Sequence, residues 1–153
     1  MAASTTAPRV FALTLAASLL AAPAPAQPDA LTPAMAEALA EAGTARPLLR
    51  CTALFRALRI HPASAAATAS GAALRETELA STAAIVWQDE TGISDTQTAF
   101  DALVPMIGAA SRLYRARISR NVEATGGQFD AALRDDLIYC DALHAGIAAP
   151  RGD

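Results

Sequence analysis

Alanine fills 41 of the 153 positions of this chain, and that choice largely decides the secondary structure open to it. Alanine is the best helix former, yet its side chain buries little area. Helices built from it must approach closely to make a core. Strand formers are scarce, with four valines and an aromatic content of 5%. The larger apolar side chains number 38, enough for one small core and one domain. The fold class expected is therefore all-α. No internal repeat is visible.

Charge narrows the function classes. The net charge is −3, which argues against a nucleic-acid partner held by its phosphates. All 12 basic residues are arginine, and lysine is absent. Ala, Arg, Gly and Pro share GC-rich codons, so a GC-rich bacterial genome accounts for this without a functional cause.

Residues 1–26 read as a signal peptide. Arg9 supplies the positive start, and Val10 to Ala22 is an apolar run interrupted only by Thr14 and Ser18. A run of that length is short of the roughly 20 residues a spanning helix needs. Ala24-Pro25-Ala26 puts small residues before a cleavage point between Ala26 and Gln27, with Ala22-Pro23-Ala24 as an earlier alternative. A retained anchor helix is the competing reading. The expected location is periplasmic or secreted, with no stable membrane span after cleavage.

Breakers and caps divide the rest. Residues 27–44 read as a linker and short helix, with Thr32 capping, Pro33 in the first turn and Gly43 as the stop. A bundle domain is expected over 45–147, followed by a disordered tail at 148–153. Its first main helix, 45–60, has Thr44 as cap and ends at His61-Pro62. The Ala/Ser/Thr-rich segment 63–71 is ambiguous between helix and loop. A second helix covers 72–88, and Asp89 to Gly92 reads as a turn. Ser94 and Gln97 fit a capping box for a third helix reaching about Val122, which Pro105 should kink or split. Gly126-Gly127 breaks the chain again, and a last helix runs over 128–145 with Gly146 as its C-cap. Apolar stripes at helical spacing appear on three of them: Leu48, Cys51, Phe55 and Leu58; Phe100, Leu103, Val104, Ile107, Tyr114 and Ile118; Phe129, Leu133, Cys140, Leu143 and Ile147. The second helix has no clean stripe, since Leu74 and Ile85 face one way and Leu79 and Val86 another. The expected product is a small antiparallel bundle of about four helices, plus the short N-terminal one.

Two cysteines remain to be placed. Cys51 lies early in the first main helix and Cys140 late in the last, so antiparallel packing brings both to one end of the bundle, each on an apolar face. A Cys51–Cys140 disulfide is expected. It would close a loop of 89 positions, for which chain entropy gives ~4.5 kcal/mol as an upper value.

The sharper alternative puts a thiol- or metal-dependent site at Asp136, Cys140 and His144, spaced four apart on one helix. A disulfide would remove the thiolate, and a buried Asp136 would take Arg46 or Arg50 as partner. His61 and His144, the only histidines, should lie at opposite ends of the bundle and share no site. Arg112, Arg115, Arg117 and Arg120 surround Tyr114 as a possible anion patch, or as a solvated face. Met106 and Leu113 fall opposite the main stripe of their helix, as a possible partner surface or as a side covered by the short helix. Trp87 reads as core or rim packing. The adjacent carboxylates Asp89-Glu90 and Asp135-Asp136 point 100° apart on a helix and suit no two-carboxylate chemistry. The terminal Arg151-Gly152-Asp153 is too short to carry a function. No phosphate-binding glycine loop or nucleophile elbow is present.

These residues describe an exported helical protein of non-enzymatic binding or structural type, with no cofactor. Its partner would be a protein client, an envelope component or a second copy. The alternatives are chemistry at Asp136, Cys140 and His144, or a bundle that carries a small apolar ligand.

Overall fold

A computed structural model describes residues 31–149. The leader with its cleavage point at Ala26 and Gln27, the start of the 27–44 segment and the terminal tripeptide lie outside them. The described chain contains α1 (Leu31–Ala38), a short 3-10 turn (Gly43–Ala45), α2 (Arg46–Ile60), α3 (Ala66–Thr91), α4 (Thr96–Thr125) and α5 (Ala131–Ala148). There is no strand among the described residues.

Helix α2 is the one the others gather round, although it carries Arg50, Arg56 and Arg59. Leu48, Leu49, Cys51, Thr52, Ala53, Leu54, Phe55, Ala57 and Leu58 are all buried, so more than one face is covered. Small residues allow this. Thr52 returns its hydroxyl to the Leu48 carbonyl at 2.8 Å, which satisfies the buried oxygen. Helix α3 buries Ala72, Leu79, Ala80, Ala83 and Ala84 and leaves Leu74 and Ile85 largely exposed. Helix α4 contributes Ala99, Leu103, Ile107, Ala110, Tyr114 and Ile118, a single stripe spaced by threes and fours.

Polar contacts fix the directions. Arg59 reaches Glu76 at 2.5 Å at one end of α2 and α3, and Thr44 donates its amide and hydroxyl to Glu90 at 3.0 and 2.8 Å at the other. Thr96 at the start of α4 bonds Gln88 near the end of α3. Cys51 and Cys140 form the disulfide. Phe55 and Leu58 share a crevice with Phe129 and Leu137, so α5 runs antiparallel to α2. The main helices therefore alternate up and down.

Several local expectations need correction. Thr44 does not cap α2. Its amide and hydroxyl are spent on Glu90, and the N-cap is Ala45 without a side-chain bond. Gly43, with φ of +50°, holds that crossing, and a Cβ there would lie 2.3 Å from a Glu90 carboxylate oxygen. The cap of α4 is Asp95, one residue after Ser94, and its carboxylate accepts from the Thr98 amide at 2.6 Å. A carboxylate complements the helix dipole better than a neutral hydroxyl. The ambiguous segment joins α3 from Ala66, and α3 continues to Thr91 before Gly92 turns with φ of +72°. Pro105 does not split α4. It is exposed, so the carbonyl it leaves unbonded faces the solvent side. Gly146 lies inside α5, which runs on to Ala148. Helix α1 ends at Ala38, earlier than expected, and Arg46 closes its turn by donating to the carbonyls of Leu39 and Ala40. Met35, Leu39 and Ala42 belong to the core.

The covalent tie joins residues 89 positions apart, from the first main helix to the last. Reduction, or Cys140→Ser, should lower the midpoint of thermal unfolding by about 10 °C or more, read by calorimetry at fixed pH. An unchanged midpoint would mean that the bond adds nothing to stability.

Candidate functional site

The richest group of polar side chains lies where α2, α4 and α5 meet, beside the disulfide. Asp136, on α5 one turn before Cys140, is mostly buried, with 13% of its side chain exposed. It pairs with the Nη2 of Arg50, on α2 next to Cys51. Of the two arginines expected as its partner, Arg46 is instead occupied at the end of α1. Tyr114, fully buried on α4, donates its hydroxyl to the second oxygen of Asp136 at 2.7 Å. The same hydroxyl accepts from Nε of Arg50 at 3.2 Å. Burial pushes the Tyr114 pKa far above its ordinary value. The phenol stays protonated and keeps donating. Burial opposes the charge of Arg50, but the Tyr114 hydroxyl and the Asp136 carboxylate outweigh it and raise its pKa.

This arrangement locks groups in place more readily than it reacts. The Asp136 carboxylate is engaged by a cation and a hydroxyl, and a Tyr with so high a pKa is a poor acid. Cys140 is consumed by the disulfide, and no described cysteine is a free thiol. His144 turns away to Glu78 on α3. Asp136, Cys140 and His144 thus share a helix face, but their side chains go to three different partners and form no common site. Asp135, next to Asp136, is exposed.

His61 sits at the opposite end of the bundle. It is 7% exposed and closes α2. Its Nε2 lies 3.1 Å from Oγ of Ser119, which has the look of a nucleophile and base. The other nitrogen decides otherwise. The Ala63 amide donates to Nδ1 at 3.2 Å, so Nδ1 is an acceptor and the proton of the neutral ring is on Nε2. Nε2 therefore donates to Ser119 and cannot take its proton. Burial, helped by the nearby charge of Arg115, lowers the His61 pKa and keeps the ring in that form.

The four arginines around Tyr114 separate. Arg117 pairs at 2.6 Å with Asp130, the N-cap of α5, and so ties the end of α4 to the start of α5. The Leu133 amide and Arg117 bring the Asp130 pKa down against the opposing effect of burial. Arg112, Arg115 and Arg120 are exposed. Arg115 borders the shallow hollow beside His61 and Ser119, whereas Arg112 borders a different one with Glu37 of α1 and Leu113. Met106 and Leu113 are half-buried against the core. Trp87 is also half-buried there, and its indole nitrogen has no hydrogen-bond partner among the described residues.

The groove between α3 and α4 was not among the sites expected from the sequence. Ala80, Ala84, Ile85 and Phe100 line it, with Thr77, Ser81, Thr96 and Gln97 among the polar groups around them, and it encloses about 430 Å³. Its signal was the missing stripe on α3, where small residues leave room. Among the described residues no group of three or more His, Cys, Asp or Glu side chains is placed to hold a metal ion.

No family model matches this chain, and the searches of curated proteins and of solved structures found no match either.

Two measurements test the polar groups. Arg50→Met should cost about 1–3 kcal/mol, because Asp136 loses its cation while Arg50 itself is partly solvated. Tyr114→Phe should cost about 1 kcal/mol. Urea unfolding of the double variant should show a loss smaller than the sum, and strict additivity would deny the network. His61 gives the pH test. Its folded pKa lies below the ordinary 6.5, so the unfolded chain takes the proton first. Stability should be full above pH 6.5 and fall as the pH drops through 6.5 toward the folded value. Titration of urea midpoints should show this fall, and His61→Gln should remove that share of it.

Proposed function

We propose that this protein is exported to a periplasmic or extracellular space and acts by binding rather than by catalysis. The observation that carries the reading is the commitment of Asp136, Cys140 and His144 to three separate partners on neighbouring helices. The groups best suited to chemistry are engaged in holding the bundle together. His61 and Ser119 hydrogen-bond in the wrong direction for a base and its nucleophile. A buried disulfide suits an oxidising compartment, and no described helix is long and apolar enough to cross a membrane.

Binding would draw on apolar side chains that the small core leaves outside. Ile85 is 53% exposed and forms one wall of the α3–α4 groove. Met106 and Leu113 are half-buried against the core, and Leu113 lies beside α1, which leaves them less suited to a partner. Arg112, Arg115 and Arg120 would act as solvated charges around the fold rather than as an anion site, since all three are exposed and Arg112 and Arg115 border different hollows. A second reading, carriage of a small apolar molecule, is favoured by the same groove, whose apolar lining and size suit a compact ligand.

Fractionation of the producing cells tests export. The expected species begins at Gln27, is periplasmic or secreted, and has no titratable thiol under denaturing, non-reducing conditions. An unprocessed cytosolic chain with two thiols would overturn it. A photo-crosslinking residue at position 85 should give one discrete adduct, and the same probe at exposed position 134 should give none. A co-purifying small mass in native mass spectrometry would instead favour the carrier. A strictly monomeric chain with neither adduct nor ligand would end the binding reading.

A further inference from the structure

Helix α5 is held differently from the other helices. Only Leu133 and Cys140 in it are buried, whereas α2 buries nine residues. Leu137, Leu143 and Ile147 lie half-buried against the core, and Ile138 and Tyr139 face solvent at 68% and 47% exposure. The rest of its attachment is polar. Asp130 pairs with Arg117, Asp141 with Arg75, and His144 with Glu78, partly exposed pairs that add little to stability, and the stronger tie is Asp136, which takes Arg50 and the Tyr114 hydroxyl. Most of the shared core lies in the other helices, with Leu39, Leu49, Leu54, Leu79, Leu103 and Ile107 among its members.

We propose that α5 is a redox latch. In the reduced chain, α1 to α4 form a folded body and α5 is undocked. Oxidation of Cys51 and Cys140 locks α5 down, and this reading does not depend on the proposed function. Both cysteines are fully buried once the bond exists, so a soluble thiol reaches neither sulfur while α5 is docked. The latch closes easily and opens with difficulty.

Closing needs an oxidant, which is a disulfide donor. The thiolate of Cys140, on the undocked helix, attacks one sulfur of the donor, forms a mixed disulfide and expels one donor thiol. Docking of α5 then carries that mixed disulfide to Cys51. The Cys51 thiolate attacks the Cys140 sulfur, forms the bond between the helices and expels the second donor thiol. The chain loses two electrons and two thiol protons, and the donor disulfide becomes two thiols.

Hydrogen exchange read by mass spectrometry tests this on the full chain, oxidised and reduced, and on Cys140→Ser. The amides of α5 should lose at least about tenfold more protection without the bond than those of α2 and α4, which follow only the global drop in stability. Unchanged protection in α5 would overturn the proposal, as would an equal loss in α2, α4 and α5. In Cys51→Ser, the remaining Cys140 should react with an aromatic disulfide reagent as fast as an unstructured thiol. Strong shielding of that thiol would also overturn it.

Discussion

Close approach of α2 to its neighbours is the constraint on which the rest depends. An alanine-rich chain has little apolar area to bury per residue, so it must bury what it has on several sides of one helix. Small buried residues, Ala53 and Ala57 on α2 and Ala72 and Ala83 on α3, leave room for helices to come together. Leucines then fill the space between them. A larger residue at these alanines would force the two helices apart, and close-packed interiors tolerate little added volume.

A core this lean is supplemented by polar and covalent ties. Arg50, Tyr114 and Asp136 join three helices through one buried carboxylate, with the disulfide one turn away. Neither half of that arrangement suits the other's absence. An unpaired Asp136 would be costly where it lies, and α5 has few buried side chains to hold it otherwise. The same economy explains why so few reactive groups are left over. A small bundle that uses its histidines, cysteines and buried acid as braces has them engaged already.

Much of this was legible in residue order. Alanine content and the lack of strand formers point to helices, and the positions of Cys51 and Cys140 near matching ends of the first and last main helices point to their bond. Asp136 called for an arginine, and Arg50 was one of two candidates. Errors clustered at caps. Thr44, Ser94 and Gly146 all have the right chemistry for a terminus, but Glu90 claims Thr44, Asp95 offers a charged acceptor next to Ser94, and α5 simply continues past Gly146. Partners from distant helices outcompeted the local rule only in the first case.

The central place of α2 was not legible, because four arginines disguise it and its burial depends on small residues whose faces carry no strong pattern. The tautomer of His61 likewise depends on an amide two residues away and a hydroxyl on another helix. By itself the chain order determined helical content, the approximate element boundaries and the pairing of the two sulfurs, since these follow from backbone preference and spacing along one dimension. Which helix lies at the centre, which arginine meets Asp136 and where the α3–α4 groove opens were decided only in three dimensions, because they depend on how small side chains let whole helices approach and what that approach leaves unfilled.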